Sequence, residues 1–277
     1  MVTIPASAVK ALREKTDLPM MECKHALVEA EGDEARAIEI LKQKAGRAVE
    51  KRADNRTAEG RVFYLAKDDG SEAAMVEIQC ESAPVASGEN MSDFGEMMAR
   101  QLLHGPGAET PEELLSQTPD GSEQSLQEVF DEMVGKIREK IVVNRLARVA
   151  GPVGGYVHHD GKTGVLFLAE GEDLQHDILR DVAMHIAALR PTVCDPEELN
   201  ADDVNAERER LSAEARATGK PENIIEKIVD GRMKNFYIEQ GVLSLQPFAK
   251  DDTKTVSQVL AEGGFKSRNF HRWVIGN

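Results

Sequence analysis

Twice along this chain a turn-forming cluster of acids and glycine separates two runs of alternating apolar residues, and an amphipathic helical stripe follows each pair. The first cluster is Asp68-Asp69-Gly70-Ser71, between 61–67 and 73–80; the second is Asp160-Gly161, between 156–159 and 165–169. Alternation with period two puts successive side chains on opposite faces of a strand, and glycine supplies the backbone that a tight hairpin needs. The first helix is predicted to start near Asp93 under a Ser92 cap and to present Phe94, Met97, Met98 and Leu102 until Gly105-Pro106-Gly107 ends it. The second spans 174–189 and carries Leu174, Ile178, Val182, Ile186 and Leu189 on one face. Two related hairpin-plus-helix subdomains follow, and with them the α+β class.

Between the two units a long helix is expected over about 123–150, along Leu126, Val129, Phe130, Val134, Ile137, Ile141 and Leu146, until Gly151-Pro152 breaks it. Gly151, Gly154 and Gly155 read as a flexible turn. The stretch 197–237 is dense in charge, with Val204, Leu211 and Ala215 on one arm, Ile225 and Ile228 on the other, and Gly219-Lys220-Pro221 between them. That pattern is an antiparallel helical hairpin, either protruding as a coiled coil or lying on its own domain. Residues 242–248 are expected to return as a strand to the second subdomain's sheet, and 256–260 to begin a short helix. The aromatic and basic segment 265–275 either closes the core or reaches a partner.

Before the first hairpin, apolar positions recur at helical spacing: Val9 and Leu12, then Met21, Ala26, Leu27 and Ala30 after Asp17-Leu18-Pro19, then Ala37, Ile38 and Leu41 after Gly32-Asp33. Three short amphipathic helices result. The pair Met20-Met21 falls at the corner between the first two. In so small a bundle those unbranched side chains either fill the core or form a docking patch.

A formal net charge of −15 argues against a broad nucleic-acid interface, because phosphate contacts supply most of that affinity. The local run Lys42, Lys44, Arg47, Lys51, Arg52 and Arg56 reads as a solvated helix face. Cys23, Cys80 and Cys194 form no CxxC pair and no signal-like segment stands at the start, so a reducing cytoplasm is expected. No apolar run approaches the roughly 20 residues that cross a bilayer, so no membrane insertion is expected. Gly161-Lys162-Thr163 lacks both the first glycine and the following helix of a phosphate loop. His158 and His159, adjacent in a predicted strand, point to opposite faces and cannot readily share a metal. With no HExxH or GxSxG word, neither enzymatic chemistry, metal nor cofactor is expected.

The words LREKTDLPMMECKHAL at 12–27, EGD at 31–33, AEG at 58–60, DVAMHIAALRP at 181–191, KPENIIEKIVDGRMKNFY at 220–237, LQPFAKDDTKTV at 245–256 and the closing WVIGN occur in this order. Together they resemble the bacterial elongation factor Ts family across essentially the full chain. The resemblance implies a ubiquitin-associated-like helical module at 1–54, an N-terminal core subdomain at 55–150, and a C-terminal core subdomain at 151–196 and 228–263. A helical hairpin at 197–227, a candidate arm for homodimer formation, interrupts the latter, and a C-terminal segment occupies 264–277.

The implied function is guanine-nucleotide exchange on elongation factor Tu, a translational GTPase, by disturbing its magnesium and phosphate site so that GDP leaves and GTP reloads. No direct nucleic acid is implied. In the family a Thr-Asp-Phe-Val tetrapeptide following Cys-Glu or Cys-Gln is implicated in displacing magnesium; here Cys80-Glu81 is followed by Ser82, Ala83, Pro84 and Val85. A rigid apolar Pro84 could still act as a smaller wedge, with Ser92-Asp93-Phe94 as the rival, although capping and core packing explain that tripeptide. Further implied contacts are Met20, Met21, Cys23 and Lys24, Ile137, whose neighbouring family glycine is Arg138 here, and His185, either an exposed contact or a buried histidine. Residues 232–237 are expected to support the second subdomain and its contact with the GTPase.

Overall fold

The computed structural model describes residues 3–173 and 177–276; Leu174 and the side chain of Arg47, both named above, lie outside the described residues. Helices α1 (Ala6–Thr16), α2 (Met20–Glu29) and α3 (Glu34–Glu50) form the first module around Val9, Leu12, Leu18, Cys23, Ala26, Leu27, Ala37 and Leu41. Asp17 ends α1 in the left-handed region (φ 58°), and Pro19 sets the extended backbone from which α2 starts. Asp33 Oδ1 accepts from the Arg36 N–H, which caps the start of α3.

Strands β1 (Glu59–Ala66) and β2 (Glu72–Cys80) form the first hairpin, which turns at Gly70 with φ 71°. A single-turn helix α4 (Ala83–Ala86) leads into α5 (Glu89–His104). This last helix begins four residues before the expected Asp93: Gly88 stands at its N-cap, and Ser92, inside the first turn, instead accepts through its hydroxyl from Arg61 at 2.9 Å. After α6 (Pro111–Leu115), the long helix expected over 123–150 divides. Helix α7 (Leu126–Ile137) opens with a Ser125/Glu128 capping box and stops where Arg138 turns left-handed (φ 60°).

The remainder is strand β3 (Ile141–Ala150), antiparallel to β2. A bulge opposite Glu77/Ile78 leaves Asn144 outside the pairing, so Ile141, Val143 and Leu146 share one face. Such mixed spacing of two and three resembles a helical stripe, whereas the β-branched Ile141-Val142-Val143 run and the open edge of β2 favour pairing.

The second hairpin joins β4 (Val153–Val157) to β5 (Thr163–Glu170). Gly154 and Gly155 lie inside β4 and do not form a turn. A Cβ at Gly154 would sit 2.2 Å from the Leu179 carbonyl oxygen, and one at Gly155 would sit 2.0 Å from the Tyr64 ring, so close approach on both faces demands glycine. His158 and His159 stand beyond the end of β4, and their rings lie 4.2 Å apart between centroids instead of on opposite faces. Helix α8 is described over Asp177–Leu189.

Helices α9 (Ala201–Arg216) and α10 (Glu222–Glu239) form the charged hairpin, closed by Leu211, Ala215, Ile225, Val229 and Met233. The strand expected over 242–248 is mostly absent: Val242 makes an isolated parallel bridge with Val193, Leu243–Leu245 form a 3-10 turn, and β6 (Pro247–Phe248) pairs with β7 (Asp251–Thr255). Helix α11 (Val256–Glu262) follows, and β8 (Lys266–Val274) takes the place beside β5. The C-terminal aromatic segment thus closes the core, with Phe265, Trp273 and Ile275 buried.

Sheet orders are β1-β2-β3 and β4-β5-β8, and in both halves a hairpin, a helix and a third strand follow in sequence. Alternation along the strands sends Phe63, Val76 and Ile78 outward against Phe94 and Met98 of α5, and Val165 and Phe167 outward against Val182 and Ile186 of α8. The inner faces meet through Val62, Met75, Leu166, Leu168 and Trp273. Within this seam Glu77, fully buried, accepts two bonds from Arg145 and one each from Asn144 and Gln79, while the Arg145 guanidinium lies 4.9 Å from the Trp273 ring centre. The buried carboxylate is therefore compensated.

Candidate partner interface

Met20 and Met21 occupy the first turn of α2, and they are 51% and 57% exposed. That excludes the core reading, since the bundle closes on other residues. Lys24 is also exposed on α2. Cys23 is fully buried, with its thiol against the Leu18 carbonyl and the Thr16 hydroxyl, so it supports the bundle and offers no surface to a partner.

The loop leaving β2 is held from below and open above. Cys80 is buried, and burial pushes its thiol up to about 11. The Glu81 carboxylate accepts from the Lys140 backbone N–H, Asn55 and Arg52; the backbone bond leads in holding it below the usual carboxylate range. Ser82 donates to Glu139 at 2.8 Å. Above these anchors Ala83 and Pro84 are exposed, with Pro84 inside the single turn of α4, and Val85 is half-buried against the core beneath. A proline in a helical first turn has little backbone freedom left to lose.

The segment after α7 joins these parts. Ile137 is half-buried against the N-terminal core and shows only an edge. Arg138 makes a two-pronged pair with the Glu22 carboxylate of α2, one prong at 2.7 Å, and its hydrogen bonds are the main reason that Glu22 sits below its ordinary value. Lys140 donates to the Asn55 carbonyl at 3.1 Å and to that of Ala53. Met20, Met21, Lys24, the 82–85 loop and the edge of Ile137 are thereby tied to one connected part of the molecule.

His185 is not part of it. At 1% exposed, its ring lies against Phe248; Nδ1 accepts from the Ala249 N–H at 3.1 Å, which leaves Nε2 to donate to Gln246 Oε1 at 2.9 Å. Burial holds it below its ordinary value and hence neutral. The histidine fixes the 246–249 segment on α8 instead of meeting a partner. Phe94, 2% exposed and 5.5 Å from the Phe130 ring, is likewise a core residue.

Sequence reasoning missed Glu22, Glu139 and Lys140 as organisers. The only local sign was Arg138, where an arginine replaces a family glycine. Among the described residues no group of three His, Cys, Asp or Glu side chains could hold a metal, and no helix is long and apolar enough to cross a membrane. A cleft of about 880 Å³ opens beside Tyr64, Lys67, Gly154, Gly155, Tyr156 and Arg180, with the Tyr156 hydroxyl 2.8 Å from His158 Nδ1.

A family model described as elongation factor TS matches residues 84–277. The chain is 39% identical over 278 residues to elongation factor Ts of Thioalkalivibrio sulfidiphilus, an alignment covering 99% of this chain and 93% of that protein. It is 40% identical over 280 residues to that of Bordetella avium, covering 100% and 92%, and 39% identical over 277 residues to that of Halorhodospira halophila, covering 99% and 93%.

Proposed function

The chain belongs to the elongation factor Ts family, whose members are translation elongation factors, and from that premise we propose that it promotes GDP release from elongation factor Tu. It acts by binding alone and changes no covalent bond. In a phosphate-loop GTPase, backbone amides, a lysine and a bridging magnesium ion hold the nucleotide phosphates together. A wedge that shifts the ion or turns one amide away removes several charge-assisted contacts at once, so GDP leaves faster. By linkage, whatever factor weakens GDP binding also weakens this chain's own binding when GDP is present, and GTP then reloads the site.

The observation that carries this reading is the exposed Met20-Met21 pair, two adjacent large apolar side chains at the corner of a module whose core closes on other residues, with Val28, 46% exposed, on the same helix. Unbranched methionines suit a docking surface. In this reading they and Lys24 grip the GTPase, Ile137 adds an edge, and the wedge is Ser82-Ala83-Pro84-Val85. Pro84 offers less area than an aromatic ring but is already rigid. The chain works in the cytoplasm and needs neither cofactor nor nucleic acid. Self-association would use the α9–α10 hairpin, where Ile224 is 41% exposed near the tip; sedimentation of the full chain and of Ile224→Glu tests it.

The direct test is stopped-flow release of fluorescent GDP from elongation factor Tu. Acceleration in proportion to added chain is expected. An unchanged rate in spite of complex formation would leave an adaptor that binds without exchanging.

A further inference from the structure

Two elements that must meet the GTPase together are far apart in sequence, and one tripeptide touches the anchors of both. Arg138 pairs with Glu22, the residue after Met21, and Glu139 accepts from Ser82, the first residue of the wedge loop. The Lys140 backbone N–H bonds Glu81, while its side chain holds the carbonyls of Ala53 and Asn55 in the linker between module and core. Three consecutive residues thus bond the helical module, the linker and the wedge loop.

The arrangement is costly to stability. Arg138 is a non-glycine residue in the left-handed region, and its Nε and the Glu139 Oε2 are buried without a hydrogen-bond partner. A half-satisfied polar network and a strained backbone both oppose folding. What they provide is a defined geometry, since a forked guanidinium–carboxylate pair constrains orientation as well as distance.

We propose that Arg138-Glu139-Lys140 is a positioning hub that holds the Met20-Met21 patch and the 82–85 wedge as one preformed face for the GTPase. The hub rests on the exchange reading above and adds how its two halves are kept in register. It does not touch the nucleotide site. Its benefit is in the ordering cost of association: without it, module and loop must be aligned at the moment of binding.

The test uses the full chain and elongation factor Tu loaded with fluorescent GDP, with release measured across chain concentrations. Arg138→Gly removes the fork while suiting the left-handed backbone, so its thermal midpoint should stay at or above that of the parent. The concentration giving half-maximal release should rise about fivefold, on the scale of a partly exposed ion pair, with the rate at saturation unchanged. Glu22→Gln should do the same, and the double variant should be no weaker than either single one. Unchanged half-saturation in Arg138→Gly, or strict additivity in the double variant, overturns the hub while parental acceleration leaves the exchange reading standing. Absence of acceleration by the parent chain overturns both.

Discussion

Periodicity puts Met21 on the apolar stripe of α2 and His185 beside that of α8, yet the methionines stand in solvent and the histidine is sealed. The difference lies in how many layers cover each helix. Helix α2 belongs to a three-helix bundle with a single closed core, so positions at its corner stay open. Helix α8 packs on β4 and β5 and is covered again by the 246–249 segment, whose Gln246 and Ala249 reach over to the ring. Periodicity reports the direction of a side chain, whereas its burial depends on what arrives later in the chain. The exposed methionine pair and the exposed Ala83-Pro84 therefore lie on the module and the first half, whereas His185 in the second half is sealed.

The largest effect that would sharpen this contrast is internal. Phe94→Ala should cost about 3 to 5 kcal/mol in denaturant unfolding, as expected for a buried ring packed on Phe130, with exchange preserved wherever the variant is folded. On the outer surface the pattern inverts. Met20→Asp with Met21→Asp should leave the unfolding free energy within about 0.5 kcal/mol and cut exchange efficiency about 100-fold, by placing charge against an apolar partner pocket.

His185→Ala should cost about 2 kcal/mol, because Gln246 and the Ala249 N–H lose their partner, with no loss of exchange by the folded fraction. A selective loss of exchange would break the comparison. Its pH dependence is a separate check. Since burial holds the folded ring below its ordinary value, the unfolded chain binds the proton more readily, and stability should fall as pH drops from about 6.5 toward that lowered value. Burial shifts His271 the same way, so His185→Gln should flatten the decline without abolishing it. The smallest effect belongs to the wedge: Pro84→Gly should slow release about threefold through added loop freedom, more than Phe94→Ala does at equal folded fraction. The reverse order would move the wedge to Asp93-Phe94.

Strong local signals made the hairpins, the three N-terminal helices and the charged helical pair legible in the sequence. What escaped was set by tertiary context. The β3 strand hid behind the bulge at Asn144, which gives apolar positions a helix-like spacing. Gly154-Gly155 imitated a turn because the demand for glycine came from Tyr64 and Leu179, remote in sequence. The second sheet took its third strand from 266–274 and not from 242–248, a choice between two apolar segments that alternation alone does not make. Of the candidate contacts, spacing left Met20-Met21 open between core and docking patch, 82–85 was reached only through the family resemblance, and the Glu22–Arg138 and Ser82–Glu139 pairs join residues with no local pattern in common.

The central claim is that this chain holds an empty GTPase more tightly than a loaded one. Calorimetric titration into nucleotide-free and into GDP-bound elongation factor Tu, at one magnesium concentration, measures it directly. Markedly tighter binding to the empty form is predicted, and equal affinity for the two forms would contradict the account.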